Sequence, residues 1–231
     1  RRRRRILFGI EIFILLILIA GVFIYAKLGK MNFTSLDFSK IGVNSGVSNN
    51  KVMKGYTTIG LVGLDNRSNK LKSGNSDTMI IASINNDTGE VRLASVFRDT
   101  YLDMTTGKFN KANSAYSTGG PEQAIKMLNK NLDLTIDKYI SVDFAAMTDA
   151  VDLLGGIDID VDETEIDHLN NYMVETSKVT GVASKPLTHT GLQTLDGVQA
   201  TSYCRIRYTA GDDFKRTERQ REVIQELVRK A

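Results

Sequence analysis

The chain has 231 residues, of which 42% are hydrophobic and 25% charged. This balance suits one globular domain with a sizeable core and excludes both a long disordered polymer and a polytopic membrane protein. Residues 1–30 hold seven basic side chains and one acid, so removing their +6 from the net charge of +3 leaves residues 31–231 at −3, which excludes a generally basic nucleic-acid-binding surface.

Five arginines, Arg1–Arg5, precede Ile6–Ala26, a run that is apolar except for Glu11. About twenty such residues make a helix long enough to cross the hydrocarbon core, and a short basic flank stays on the cytoplasmic side. Ala20-Gly21-Val22 is a poor cleavage site, so the expectation is an uncleaved anchor. Residues 1–5 then form a cytoplasmic flank and residues 6–26 a single transmembrane helix in the cell membrane, with the remaining mass extracellular. Residues 27–55, rich in Asn, Ser, Gly and Lys, read as a linker, and the domain occupies residues 56–231. Cys204 is the sole cysteine, so no intrachain disulfide can form and the residue reads as a small buried hydrophobe.

Within the domain, short apolar runs at 57–64, 78–84 and 91–97 predict core strands, the last two joined by the turn sequence Asn85-Asn86-Asp87-Thr88-Gly89. Helices are expected at 121–130, where Pro121 suits a first helical position, and at 144–154, stopped by Gly155-Gly156. A strand follows at 157–161. Residues 162–190, which contain both histidines, are weakly patterned and read as an excursion with partial helix. A short helix at 195–202, a strand at 203–208 and a charged amphipathic helix at 214–229 complete the chain. Alternating strands and helices predict an α/β fold, a single layered domain with a central mixed sheet flanked by helices.

Serine-elbow, CxxC, HExxH and Walker signatures are all missing from the sequence. Charges collect instead at strand ends: Asp65 and Arg67 after the first strand, Asp77 at the start of the second, and Arg98-Asp99 after the third. Arg205 and Arg207 would share one face of the strand expected at 203–208, an arrangement that repels unless an anion lies between them. Arg216, Arg219 and Gln220 share a face of the last helix. Taken together, two carboxylates able to hold Mg²⁺ and several arginines able to hold a polyanion are the equipment of phosphoryl transfer.

The order of the motifs GLDNR (63–67), SDTM (76–79), FRDTY (97–101), KANSAYSTGG (111–120), DLLGGIDIDV (152–161), RIRY (205–208) and FKRTERQ (214–220) resembles the LytR-CpsA-Psr family of cell-wall proteins. The resemblance implies a Mg²⁺-dependent phosphotransferase that moves an anionic glycopolymer, such as teichoic acid or capsule, from an undecaprenyl pyrophosphate carrier to peptidoglycan, with Mn²⁺ as a possible substitute metal. Carried over by motif, Asp65 and Asp77 would hold the metal, and Arg98, Lys111, Arg205, Arg207, Arg216, Arg219 and Gln220 would bind phosphates. Arg98, Asp99 and Arg207 would be catalytic, with Asp99 the candidate base. The helix at 144–154 would wall a tunnel for the prenyl chain. Family members often read PRD at Phe97-Arg98-Asp99 and KIN at Lys111-Ala112-Asn113, departures that leave the charged residues in place. Three other readings stay open: a prenyl-phosphate-binding module, a prenyl-pyrophosphate hydrolase, and a membrane-bound transcription attenuator.

Overall fold

Tyr56–Asp65 (β1) buries Thr58, Gly60, Val62 and Leu64 and leaves the intervening residues half-buried, the period of two expected of a strand. It pairs antiparallel with Asn75–Asn85 (β2), which pairs antiparallel with Val91–Ser95 (β3). The turn between β2 and β3 closes where Asn85 Oδ1 accepts the backbone N–H groups of Asp87 and Thr88 at 2.9 and 3.1 Å. These contacts come from a computed structural model describing residues 34–66, apart from Phe38 and Asn49, together with residues 74–231. The expected anchor at 6–26, its flank and Arg67 lie outside the described residues. Among the described residues no helix is long and apolar enough to cross a membrane.

The described part of the expected linker, within residues 34–55, is more ordered than a tether requires. Leu36 and Ile41 are buried in the domain core, and two single-turn helices follow, Ser45–Ser48 (α1) and Lys51–Lys54 (α2). Asn129 joins this segment to the domain by donating to the carbonyls of Ile41 and Ile136.

After β3 the chain forms a small antiparallel hairpin from Tyr101–Asp103 (β4) and Phe109–Lys111 (β5), too short to register as periodicity. Ser114–Leu132 (α3) begins before the expected helix and kinks at Gly119-Gly120, where Gly120 has φ 68°; Pro121 then starts the longer segment. Lys138–Val142 (β6) runs parallel to β1 and completes a mixed sheet in the order β3-β2-β1-β6. Val62, Leu64, Met79 and Ile81 meet Ala124, Ile125, Met127 and Leu128 of α3 in a first core.

The rest builds a second core. Asp143 caps Phe144–Leu153 (α4), accepting the Ala146 N–H at 2.8 Å, and Ile157–Val161 (β7) follows. The weakly patterned 162–190 stretch contains an 18-residue helix, Glu163–Thr180 (α5), opened by a capping box between Asp162 and Glu165 and ended by Gly181 at φ 73°. Gly191–Leu195 (β8) pairs antiparallel with β7, and a second capping box, Asp196 with Gln199, opens Gly197–Tyr203 (α6). Asp212–Lys230 (α7) closes the layer. Ile157, Ile159, Leu169, Leu195, Ile206 and Val223 form its centre.

The strand expected at 203–208 does not form. Helix α6 runs through Tyr203, and donors from α7 take the carbonyls that a neighbouring strand would have used: Gln220 Nε2 bonds Cys204 O at 3.3 Å and Arg219 Nη1 bonds Ile206 O at 3.2 Å. An irregular segment therefore carries Arg205 and Arg207.

Helices α4 and α6 approach so closely that a Cβ on Gly197 would stand 2.2 Å from Thr148 O. Asp152 accepts the Gly197 N–H at 2.7 Å and Thr148 Oγ1 donates to Gly197 O at 3.3 Å, so neither backbone can withdraw cheaply. Gly197→Ala should cost about 2 kcal/mol through overpacking and lower the melting temperature by roughly 6 °C. Thermal unfolding followed by circular dichroism checks this, and an unchanged midpoint would contradict the close contact.

Candidate functional site

At the open end of β1 and β2 the ladder is irregular: Gly63 pairs with Thr78 and Leu64 with Ser76, which leaves Asp77 as the extra residue of a β-bulge. A bulge re-aims its side chain, and Gly63 permits it, because a Cβ there would stand 2.8 Å from Thr78 Cβ. Asp65 ends β1 opposite Asn75, two residues before Asp77 on the next strand. The two carboxylates expected at neighbouring strand ends are thus placed at neighbouring strand ends.

Three arginines converge on Asp77. Arg98 Nη1 and Arg207 Nη2 each donate to Asp77 Oδ2 at 2.9 Å, and Arg216 Nη2 donates to Asp77 O at 2.9 Å. Asp213 lies 4.0 Å from Arg207 and 3.8 Å from Arg216. Asp99 Oδ2 lies 3.6 Å from Arg98 Nε, so three guanidinium groups crowd around three carboxylates. The Nε–H groups of Arg98 and Arg216 are buried without a hydrogen-bond partner. Burial, followed by the Arg207 charge, lowers Arg216 from its ordinary value. A buried donor left unmatched costs free energy that an incoming acceptor recovers, and crowded guanidinium groups gain most from an acceptor that is itself anionic.

Each arginine is held from a different place. Arg98 follows β3, where Asn113 donates its backbone N–H to Arg98 O at 3.0 Å and Ser76 donates its own to Asn113 O at 3.2 Å. Phe97 packs edge-to-face on Phe214 of α7 with ring centroids 4.6 Å apart. That contact ties the end of β3 to the helix bearing Arg216. Next to Arg98, Asp99 accepts from Lys111 Nζ at 2.8 Å. The lysine contact, reinforced by Arg98, holds the Asp99 carboxyl below its ordinary value, opposed by some burial.

Other expected phosphate ligands are engaged by the protein. Arg205 donates to Glu175 Oε2 at 2.6 Å and Thr176 Oγ1 at 3.0 Å, and its guanidinium lies 4.4 Å from the Phe144 ring centroid. Its companionship with Arg207 was predicted from a strand that does not exist; in the irregular segment the two side chains go to different partners. Arg219 is almost wholly buried, bonding Glu165 Oε1 at 2.6 Å, Ile206 O at 3.2 Å and Thr209 Oγ1 at 2.7 Å. Together with Gln220 on Cys204 O, it grips the segment on both sides of Arg207. Burial pushes the Cys204 thiol up to about 12, which suits an inert core residue.

Sequence reasoning missed Asp213, Glu165 and Glu175. The D-x-x-E capping spacing of Asp162 and Glu165 was a readable signal of a helix start, but nothing local linked Glu165 to an arginine 54 positions away.

Among the described residues no group of three His, Cys, Asp or Glu side chains could hold a metal ion. Mg²⁺ is commonly held by one or two carboxylates with phosphate oxygens and water completing its octahedron.

The sequence profile of the LytR_cpsA_psr family matches residues 22–231. A teichoic acid transferase of Enterococcus faecalis, named polyisoprenyl-teichoic acid–peptidoglycan teichoic acid transferase TagU, is 33% identical over 74% of this chain and 52% of its own length. The chain thus spans about half the length of that relative. Among solved structures, TagT bound to LI-WTA superposes with a TM-score of 0.68 at 25% identity, covering 86% of this chain and 72% of the other. TagT (YwtF) with bound octaprenyl pyrophosphate lipid gives 0.66 at 23% identity, covering 86% and 73%.

If Arg219 supports the Arg207 segment, Arg219→Ala should cost about 3–5 kcal/mol, because it strands buried Glu165. The melting temperature should fall by roughly 10 °C, whereas Arg207→Ala, at a partly exposed position, should melt close to wild type. Wild-type melting of Arg219→Ala would remove it as a support.

Proposed function

Because the chain belongs to the LytR-CpsA-Psr family, we propose that it transfers an anionic glycopolymer, teichoic acid or capsular polysaccharide, from an undecaprenyl pyrophosphate carrier to peptidoglycan. The observation that carries this reading is the convergence of Arg98, Arg207 and Arg216 on Asp77, with two buried guanidinium N–H groups lacking acceptors. A pyrophosphate offers negatively charged oxygens to such donors, and guanidinium groups match them in pairs. The transferase relative and the TagT complexes named above agree with this substrate chemistry.

An apolar surface suits the prenyl chain. The sheet face away from α3 carries Ile59, Leu61 and Leu93, all half-buried, and Ile140, which is 54% exposed opposite Leu61. Ile80 and Ala82 on this same face are already buried, so the lane offered to a prenyl chain is its half-buried to exposed part, from Ile59 and Leu61 to Ile140. Membrane anchoring through residues 6–26, with the domain extracellular, would present this lane to a carrier held in the bilayer.

The chemistry follows from the charges. A peptidoglycan hydroxyl attacks the sugar-proximal phosphorus; the bond from that phosphorus to the bridging oxygen breaks, and undecaprenyl phosphate leaves. Arg98, Arg207 and Arg216 hold the non-bridging oxygens and match the charge that builds on the leaving phosphate. Mg²⁺ held by Asp65 and Asp77 would supply further neutralisation of the pyrophosphate. Asp99 would accept the hydroxyl proton; its contact with Lys111 keeps it ionised and orients it, at the expense of basicity.

The test combines the chain with a prenyl-pyrophosphate-linked oligosaccharide, peptidoglycan oligomers and Mg²⁺, with products read by mass spectrometry. A glycan–peptidoglycan adduct that requires metal and is lost in Arg207→Ala is the expected result. Lipid bound without adduct would make the chain a binding module, and free phosphorylated glycan would make it a hydrolase. In the same assay Lys111→Ala should let the Asp99 carboxyl rise toward its ordinary value. The acid limb of the pH–rate profile should therefore move to higher pH, and an unmoved limb would remove Asp99 as the base.

A further inference from the structure

The β4–β5 hairpin has two unlike faces. Leu102 packs against the first core, which fixes the orientation of the ribbon. On the opposite face Tyr101 pairs across from Lys111, and Phe109 lies diagonal to Tyr101. The two rings stack on each other with centroids 6.0 Å apart at 23°, yet Tyr101 is 69% and Phe109 59% exposed. Folding gains little from aromatic rings left in water, so a stacked exposed pair on a rigid ribbon calls for a partner.

Its position says which partner. Tyr101 is three residues beyond Arg98, at most about 10 Å along an extended chain. Lys111, on the same face, bonds Asp99 at 2.8 Å. Ala112 N–H donates to Thr100 O and Asn113 N–H to Arg98 O, so the ribbon and the arginine cluster are one stitched unit. Phe109 also borders a cleft of about 140 Å³ between the ribbon and α3, lined by Thr106, Lys108 and Asn110 and by Ser114, Ala115 and Gln123, with Asn110 on the Leu102 side of the ribbon. An aromatic wall next to hydroxyls, an amide and a lysine combines apolar stacking with polar recognition.

We infer that the Tyr101–Phe109 face, with its adjoining cleft, is the binding subsite for the acceptor glycan, a strand of N-acetylated hexosamines carrying acidic peptides. The inference rests on the transfer reading above. Pyranose rings in an equatorially linked strand present flat C–H faces that lie well on the electron-rich faces of aromatic rings, whereas a polyol phosphate chain has no such faces. Lys108 and Lys111 suit the peptide carboxylates. The subsite borders Asp99, the residue assigned to the attacking hydroxyl, so a strand stacked there directs a hydroxyl toward the phosphorus.

The experiment uses the full chain in detergent micelles, with the Tyr101→Ala/Phe109→Ala double variant and Tyr101→Phe as the conservative control. Soluble peptidoglycan oligomers are titrated calorimetrically, and KM is measured separately for the acceptor and the lipid-linked donor. The double variant should weaken acceptor Kd and raise acceptor KM about tenfold, leaving donor KM and melting temperature unchanged, while Tyr101→Phe binds as wild type. An unchanged acceptor Kd, or a loss confined to donor KM, would overturn the inference. Binding needs no turnover: if the wild type makes no adduct, the transfer reading fails on its own, while aromatic-dependent oligomer binding would still uphold the subsite.

Discussion

One carboxylate, that of Asp77, organises this protein. Arg98 from the end of β3 and Arg207 from the irregular segment after α6 donate to its Oδ2 at 2.9 Å, and Arg216 from α7 bonds the Asp77 backbone carbonyl at 2.9 Å with the carboxylate 3.9 Å away. Without that negative charge the three would repel, so the bulge that presents Asp77 is also what lets elements of the two cores meet. Phe97 against Phe214 adds an apolar clamp at the same joint. Asp213 and Asp99 also border the cluster, yet the Nε–H groups of Arg98 and Arg216 stay buried without a hydrogen-bond partner, the feature on which the proposed anion site rests.

Support and ligand are separate jobs in α7. Arg216 reaches the cluster, whereas Arg219 and Gln220, on the same helical face, hold the carbonyls around Arg207 and the buried carboxylate of Glu165. This division explains how a segment with no ladder of its own can hold Arg207 steady. If Arg207 binds a phosphate as proposed, a backbone fixed beforehand leaves little ordering to occur on binding.

The first three strands, their connecting turn and the helices around Pro121 and Phe144 were legible because each has strong local periodicity or punctuation. Asp65, Asp77 and Arg98 were legible as charges next to apolar runs, whereas Arg207 and Arg216 stood out only through an expected strand face and a helix face. The β4–β5 hairpin and β8 were not, because three to five residues with mixed polarity carry no usable period. Residues 203–208 show the opposite failure. The alternation of YCRIRY is that of a strand, but the capping box at Asp196 extends α6 through Tyr203, and side chains of α7 satisfy the carbonyls beyond. Tertiary hydrogen bonding overrode the local pattern, and it also sent Arg205 to Glu175 and Thr176 instead of to the cluster.

We propose that the arginines gathered by Asp77 bind the pyrophosphate of a lipid carrier. Calorimetric titration of a short-chain prenyl pyrophosphate into the wild type and Arg207→Ala, at low and high salt, tests it most directly. Tight binding that weakens with salt and falls at least tenfold in the variant is the expected result. Equal affinity for both proteins would contradict it.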